Sequence, residues 1–578
     1  MKKVIVPLYL FFCLTLTGIL SCGPGKSTNI ITSDSLSIAH GQLLFQTNCS
    51  GCHNFRHDGI GPNLSGITGT DSISWLKEFI RSPKAMLDSG NDRAKKLLAD
   101  YHSVMPSFTT LKDEEIDQLI AFLHTQKTKQ KTKDDPNAIK NPIPEKIPAS
   151  DIQVELELFT QIPASSNKEP LTRISKMDWV KAAKNWFILD QRGILYILVN
   201  QKAEPWLDIS KWKPNFINQP GLATGFGSFA FHPDYAANGI FYTTHCEAAH
   251  SKKADFAIPD SIHQTLQWVL CEWKVSNPKA SAFNGSCREL MRIDMVAGIH
   301  GVQEIIFNPR SKKVDDDYGQ LYIGVGDGGC TENGYAFLTH HPDKIWGTIL
   351  RINPMGNNST NGQYGIPDKN PFAKNPDSNT VREIYADGFR NPNLINWTED
   401  GKMIATNIGQ SSIEAIDVVS KGGDFGWPNR EGRFLMYPDS DINKIYPLPA
   451  NDSIFHYSYP SAAFDHDEGN AIAGGFEYKG HTIPHLRGKY LFGDIPTGRL
   501  FFINTADLKP GNMATVKEWF VSLNGKRLTL RNLCGQNRVD LRFAQDGSGE
   551  MFIFTKPDGK IYRLAKLSNT PARHKILN

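Results

Sequence analysis

The sequence predicts two domains of different class, a small all-α unit followed by a large all-β unit built as a six-bladed propeller. Three observations lead to this. The chain has 578 residues, too many for one ordinary core. From residue 37 to about 126 its apolar residues recur at helical spacing. After residue 151 one unit recurs: an apolar alternating strand, a turn of Pro, Asp and Gly, then a second strand with an aromatic. Composition is that of a soluble globular protein, 40% hydrophobic and 21% charged, and the 48 Gly and 34 Pro favour turn-rich β structure. A net charge of only +3, with no Lys/Arg run on a basic patch, excludes a nucleic-acid binder.

The N-terminus begins with Lys2 and Lys3, continues as an apolar run, and ends in Ile19-Leu20-Ser21-Cys22. The run is short for a membrane span, so residues 1–21 are read as a signal peptide. Its end resembles the lipobox of bacterial lipoproteins, although Ile19 stands where Leu is usual. That resemblance implies lipidation of Cys22, a tether over 22–36, and a lipid-anchored place in the bacterial cell envelope, facing the periplasm or the cell surface. Ordinary secretion or an uncleaved anchor are the alternatives. Of nine cysteines, Cys13 leaves with the signal and Cys22 takes lipid. Cys246, Cys271, Cys287, Cys330 and Cys534 remain once Cys49 and Cys52 are assigned below. Five is odd, so at least one stays unpaired, and the pairing cannot be deduced.

The small domain spans 37–126. An apolar face with Leu43, Leu44 and Phe45 precedes Cys49-Ser50-Gly51-Cys52-His53. A last helix carries acidic residues early and Ile116, Leu119, Ile120 and Leu123 on one face. A C-x-x-C-H run reads as covalent c-type haem attachment. A zinc half-site or a redox dithiol is the alternative, but no second Cys pair lies nearby. With Pro62 in Gly-Pro-Asn-Leu and Met105 before Pro106, the segment resembles a class I cytochrome c. Cys49 and Cys52 then bind one haem c, His53 is one axial iron ligand, and Met105 the other. Met86 and His102 are rivals for the sixth position.

Residues 127–151, charged and Pro-containing, read as an extended linker. The propeller is expected over 152–566, with a tail at 567–578. Its units are Trp186–Val199, Gly227–His245, Gln303–Gly329, Asn393–Gln410, Ala473–Asp494 and Asp540–Leu564, a repeat of roughly sixty to seventy residues, which suits radial rather than helical repetition. Three loops carry polar residues against the repeat: His300 just before a strand, Arg390-Asn391-Pro392 at the same place in another unit, and Gly409-Gln410 in a bend, followed by Gly426-Trp427-Pro428.

At these residues, over about 158–564, the chain resembles the soluble quinoprotein glucose/sorbosone dehydrogenase family, aldose sugar dehydrogenases that use pyrroloquinoline quinone (PQQ). The resemblance implies that His300 is the general base, that Arg390 and Asn391 touch PQQ and the substrate, and that the backbone carbonyls of Gly409 and Gln410 hold a Ca²⁺. A neutral imidazole takes a hydroxyl proton, an Arg balances developing negative charge, and hard carbonyl oxygens suit calcium. Two features depart from the family. Ala223 stands where active members carry an acidic or amide residue, with Gln219 a short gap away. The Phe464–Gly475 stretch looks more like the hedgehog-interacting-protein branch, whose animal members are known for binding.

By position alone, His300 could cap a loop and Arg390 could pair with Asp387. Gly326–Gly329 reads as a tight turn rather than a nucleotide or metal loop. Asp465–Glu468 is either a channel-facing site or a solvated turn. The sequence thus predicts a membrane-anchored sugar dehydrogenase that uses PQQ and passes electrons through haem c to an external acceptor, such as another cytochrome or a membrane redox component. The alternative is a non-catalytic envelope propeller that binds carbohydrate or protein and carries an electron-transfer cytochrome.

Overall fold

The computed structural model describes residues 31–101, 104–127 and 135–568. The signal-peptide and lipidation readings at 1–22, the rival ligand His102 and nearly all of the tail lie outside them. Among the described residues no helix is long and apolar enough to cross a membrane.

The small domain is helical: α1 Ser35–Asn48, α2 Ile67–Thr70, α3 Ile73–Arg81, α4 Pro83–Asp88, α5 Asp92–Tyr101 and α6 Asp113–Thr125. Asp34 starts α1 by accepting the Ser37 N–H at 2.8 Å. Glu115 closes back on the Lys112 N–H at 2.7 Å and starts α6. The two helices pack across Gly41, where a Cβ would overlap the Gln118 carbonyl. The buried face of α1 is therefore Gly41 and Phe45, one turn apart, and Leu43 is 51% exposed. The apolar 43–45 run predicts Leu43 on that face, but at 100° per residue it points away from the 41/45 stripe. Ile116, Leu119, Ile120 and Leu123 pack with Phe45, Leu76 and Ile80 in one core.

The large domain is β-rich and propeller-like. Four separate four-stranded antiparallel sheets follow in order. The first is Ile174–Val180, Asn185–Asp190, Ile194–Val199 and Lys202–Asp208. The second is Phe226–Phe231, Ile240–Ala248, Leu266–Val275 and Gly285–Met295. The third is Glu304–Phe307, Leu321–Val325, Thr348–Ile352 and Ile384–Ala386. The fourth is Pro392–Trp397, Met403–Asn407, Ile413–Val419 and Ala462–Asp465. A nine-stranded sheet follows, with the Ile472–Glu477 meander at one end and the Leu541–Gln545 meander at the other, and a small three-stranded sheet of Arg430–Glu431, Phe434–Met436 and Ile445–Tyr446 stands apart. They join where Ala149–Gln161 lies parallel to Lys517–Leu523 and antiparallel to Lys560–Leu567. The first strand of the domain thus completes its last meander and ties the two ends of the domain together.

The leading strands touch in a closed ring: Ile174–Val180, Phe226–Phe231, Glu304–Phe307, Pro392–Trp397, Ile472–Glu477, Leu541–Gln545, and back to the first. Lys176 cross-ties three of them from the centre, bonding Glu304 at 2.5 Å, Ser228 Oγ at 3.0 Å and the Ile305 carbonyl at 3.0 Å.

Residues 135–151 are fastened to the large domain rather than free. The Ile139 N–H donates to Ile445 O at 2.8 Å, the Ile143 N–H to Asp465 at 3.2 Å, and Tyr446 to Asp135 at 3.0 Å. The strand begins at Ala149, within the stretch read as linker. This accounts for the Asp465–Glu468 cluster. Asp465 receives the linker, His466 bonds Glu414 at 3.0 Å, Asp467 pairs with Lys146, and Glu468 with Arg499 at 2.7 Å.

Candidate active site

The small domain holds an apolar crevice lined by Cys49, Cys52, His53, Pro62, Leu76, Ile80 and Met105. His53 Nδ1 is 2.8 Å from the Pro62 carbonyl. A carbonyl only accepts, so Nδ1 carries the proton and Nε2 keeps its lone pair for a metal. Gly61 lies against the ring, where a Cβ would stand 2.9 Å from Nδ1 and 3.0 Å from Nε2. The paired thiols, the free imidazole nitrogen and the thioether of Met105 around one apolar slot fit a haem. Met86, the rival ligand, is a buried residue of α4 and does not line the crevice. Leu222 and Arg538 of the large domain complete the lining, so the crevice opens toward the propeller.

His300 lies in the loop between Gly285–Met295 and Glu304–Phe307, next to Ile299, which packs on Gly51 of the haem-attachment turn. Its φ of 49° is left-handed, uncommon outside glycine and concentrated at functional sites. Gly326 makes room for it, since a Cβ there would come within 2.8 Å of His300 Cβ. Nδ1 lies 2.8 Å from Asp327 Oδ1, which also accepts the Gly329 N–H at 2.9 Å. Asp327 Oδ2 accepts from Trp427 Nε1 at 3.2 Å. Burial raises the Asp327 carboxyl, but the His300 bond and the charge of Arg390 outweigh it and hold the group ionised. Burial lowers His300 first and Arg390 lowers it further, against the pull of Asp327. The imidazole is neutral near pH 7, its proton belongs on Nδ1, and Nε2 is the basic atom.

Arg390 is fixed from three sides. Nε donates to Gln410 Oε1 at 2.9 Å, Nη1 to the Gly409 carbonyl at 2.5 Å, and the guanidinium lies 5.7 Å above the Trp427 ring. The Arg390 and Asn391 amides both donate to Asn407 Oδ1, at 3.2 and 3.1 Å. Arg390 does not pair with Asp387. The Gly409–Gln410 bend owes its shape to Glu431, whose Oε1 accepts the N–H groups of Gln410, Ser411, Ser412 and Ile413 at 2.7–3.0 Å. The Gly409 carbonyl already faces a guanidinium, and a like charge on the same oxygen is unfavourable. A Ca²⁺ on the Gly409 carbonyl would share that oxygen with the Arg390 guanidinium, whereas Glu431 Oε2 beside the bend is buried without a hydrogen-bond partner.

A second set of cations flanks the site. Lys556 bonds the Leu222 carbonyl at 3.1 Å and Arg173 the Asn218 carbonyl at 2.8 Å. Burial lowers Lys556 to about 8 and Arg173 to about 10. Arg542 is lowered by burial as well, and Asp540 is the carboxylate among them. The 218–224 loop runs from these cations to the loop that carries His300: the Ala223 carbonyl accepts from Gln303 at 3.3 Å, and Thr224 and Pro220 lie against Gly298. Gln219 is exposed and donates to Asn218 at 3.4 Å. Lys556 is buried and Arg173 and Arg542 are half-buried, three cations against Asp540 and Asp190, and this excess of positive charge suits a ligand with several carboxylates.

His300 and Arg390 thus share one cluster with the Gly409 bend, and Cys49, Cys52, His53 and Met105 share another. The domains meet where these clusters face each other. Gly51, within the C-x-x-C, packs on Ile299, with a Cβ position 2.9 Å from its Cγ2. Asp327, Glu332, Trp427 and Glu431 were not singled out from sequence as site residues. Asp327 sits in the Gly326–Gly329 turn, and that turn does exist, with the Cys330 N–H on the Asp327 carbonyl at 3.0 Å. The same turn also carries the partner of His300.

The profile of the Glucose / Sorbosone dehydrogenase family matches residues 175–533, and that of Cytochrome c matches 38–127. Among curated proteins, HIPL1 protein of Arabidopsis thaliana is 25% identical over 432 residues, 66% of this chain and 60% of that one. Quinoprotein glucose dehydrogenase B of Acinetobacter calcoaceticus is 27% identical over 263 residues, 42% and 47% of the two chains. The chain spans about half the length of the curated relatives it matches. A solved PQQ-bound aldose sugar dehydrogenase from Streptomyces coelicolor covers 72% of this chain and 99% of its own, at 17% identity and a TM-score of 0.46. The chain belongs to the glucose/sorbosone dehydrogenase family and carries a cytochrome c domain on its N-terminal side.

Proposed function

We propose that the protein is an envelope-anchored quinohaem dehydrogenase that oxidises an aldose or related sugar with PQQ and passes the electrons through haem c to an external acceptor. On this reading the ring of leading strands is a six-bladed propeller, Cys22 is the lipid anchor, and the acceptor is another cytochrome or a membrane redox component. The observation that carries the reading is His300, neutral, aimed by Asp327 at 2.8 Å and placed on the loop that touches the haem-attachment turn.

His300 Nε2 takes the proton of the sugar hydroxyl, and Asp327 stabilises the imidazolium that results. Arg390, set by Gln410, Gly409 and Trp427, supplies fixed positive charge where negative charge develops. Lys556, Arg173 and Arg542 would hold the cofactor carboxylates, with Asn391 in the adjoining turn. PQQ, when bound, supplies the two-electron oxidising group. Cys49 and Cys52 would hold the haem covalently and His53 and Met105 would ligate its iron, and thioether ligation suits one-electron transfer at a raised potential. His300 is buried, with the haem-attachment turn packed on its neighbour Ile299, and this burial would limit water at the base.

A second reading is a non-catalytic binding propeller. Ala223 favours it, as does the match to HIPL1 protein. The two readings separate when purified haem-bearing protein is supplied with PQQ and a panel of aldoses and the haem absorbance is followed. Reduction by at least one sugar, lost in His300→Ala, supports the dehydrogenase. PQQ uptake without reduction by any sugar, or no uptake at all, supports the binding protein.

A further inference from the structure

Glu332 lies five residues beyond Asp327 and is 3% exposed, yet the chemistry above does not use it. Its Oε2 accepts from Gln410 Nε2 at 2.6 Å, and Gln410 in turn holds Arg390. Its Oε1 accepts from Asn54 Nδ2 at 2.9 Å, and Asn54 follows the axial ligand His53. Its backbone carbonyl accepts from Arg56 Nη2 at 2.7 Å. Two glycines make the fit possible. A Cβ at Gly59 would stand 2.6 Å from Glu332 Oε1, and a Cβ at Gly334, whose φ is 85°, would overlap the Arg56 guanidinium.

We infer that Glu332 is the positioning residue that joins the haem-attachment turn and the Arg390 bend into one hydrogen-bonded unit. The buried carboxylate has a donor from each domain, one on each oxygen. Removing it leaves Gln410 Nε2 without its acceptor on one side and Asn54 Nδ2 with His57 Nδ1 alone, at 3.2 Å, on the other, so both sides loosen together. Its negative charge also stands one residue from the iron ligand, where it favours the oxidised haem and holds the midpoint potential down. The loop 327–334 therefore does two things: Asp327 aims the base, and Glu332 sets the haem domain above it. The electron-transfer part of this inference rests on the proposed function, whereas the docking part does not.

The test uses the full-length haem-bearing protein. In Glu332→Ala, amide hydrogen exchange should rise by about tenfold or more both in the 52–61 turn and in the 410–413 bend, with core strands such as Ile188–Leu189 unchanged. Asn54→Ala, which removes the donor on the haem side alone, should raise exchange in 52–61 and leave 410–413 as it was. Glu332→Gln keeps the side-chain shape and removes the charge, so the haem midpoint potential should become more positive. Exchange unchanged on either side in Glu332→Ala, or an unshifted potential in Glu332→Gln, overturns the assignment. If sugar reduces the wild-type haem, Asn54→Ala should slow that reduction at least about tenfold while a soluble dye that bypasses the haem still gives wild-type turnover. Equal slowing of both contradicts a role for Glu332 in seating the haem domain. A wild-type haem that no sugar reduces defeats the proposed function, and exchange and potential still decide the role of Glu332.

Discussion

Asp327→Asn is the perturbation that bears most sharply on the proposed base. Asp327 accepts on one oxygen from His300 Nδ1 at 2.8 Å and the Gly329 N–H at 2.9 Å, and on the other from Trp427 Nε1 at 3.2 Å. An amide has one oxygen and one NH₂, so it cannot satisfy donors on both sides. If its oxygen keeps His300, the NH₂ meets the Trp427 N–H. If the NH₂ turns to His300, Nδ1 must become the acceptor, the proton moves to Nε2, and the base is lost. Losing one buried bond to a charged group costs about 1.5–3 kcal/mol of stability. Losing the base slows turnover by ~10²–10⁴-fold.

The pH dependence has a definite sign. His300 is depressed in the folded protein, so its proton-accepting form is full above that lowered value and activity falls as pH drops through it. Stability follows the same course, because the unfolded chain binds the proton more readily as pH falls below the ordinary histidine range. Asp327 is the influence that raises His300, so Asp327→Asn should move the acid limb to still lower pH. The assay is dye-linked sugar turnover against pH, alongside thermal unfolding. Wild-type turnover with an unmoved acid limb would refute the reasoning.

Three further predictions concern other parts of the molecule. Gly61→Ala should abolish haem incorporation or displace the His53 ligand, read as loss of the low-spin haem spectrum, because the added methyl overlaps the His53 ring. Lys176 and Glu304 form an ion pair only 11% and 5% exposed, so Glu304→Ala, which leaves the buried ammonium with only the partly exposed Asp178 at 3.5 Å, should cost up to about 3–5 kcal/mol in denaturant unfolding. The Lys176→Met/Glu304→Leu double variant should recover most of that loss. Cys287 is pulled down to about 6 by its hydrogen bond with Cys271 and by the Lys213 ammonium, so at neutral pH it should alkylate ahead of Cys246, Cys271, Cys330 and Cys534. Peptide mapping checks the order, and Lys213→Met should slow it.

The haem site was legible because its signal is contiguous: two thiols and an imidazole within five residues, then Pro62 and Met105 in the same small unit. The strand units were legible because the side-chain period of two repeats along the chain. His300, Arg390 and the Gly409 bend were singled out as polar breaks in that repeat and by resemblance, and the fold brings them together. Their supports were not legible, since each acts across a long sequence separation. Glu332 meets Asn54 at 278 residues' distance and Gln410 at 78, and nothing local distinguishes it from a surface glutamate. Glu431 holds four amides of a bend that precedes it by about twenty residues, a role visible only once the chain has turned back. The linker misled for a related reason. Its composition is that of an extended solvated segment, and its partners, Asp465 and Ile445, belong to the far side of the sequence.

The central claim is that sugar oxidation in the propeller empties into the haem of the same chain. Rapid mixing of PQQ-loaded protein with its sugar, with haem absorbance followed across a wide dilution series, tests this directly. The account predicts a first-order haem reduction whose rate constant is independent of protein concentration. A rate that falls in proportion to dilution would mean that electrons pass between molecules, and would contradict it.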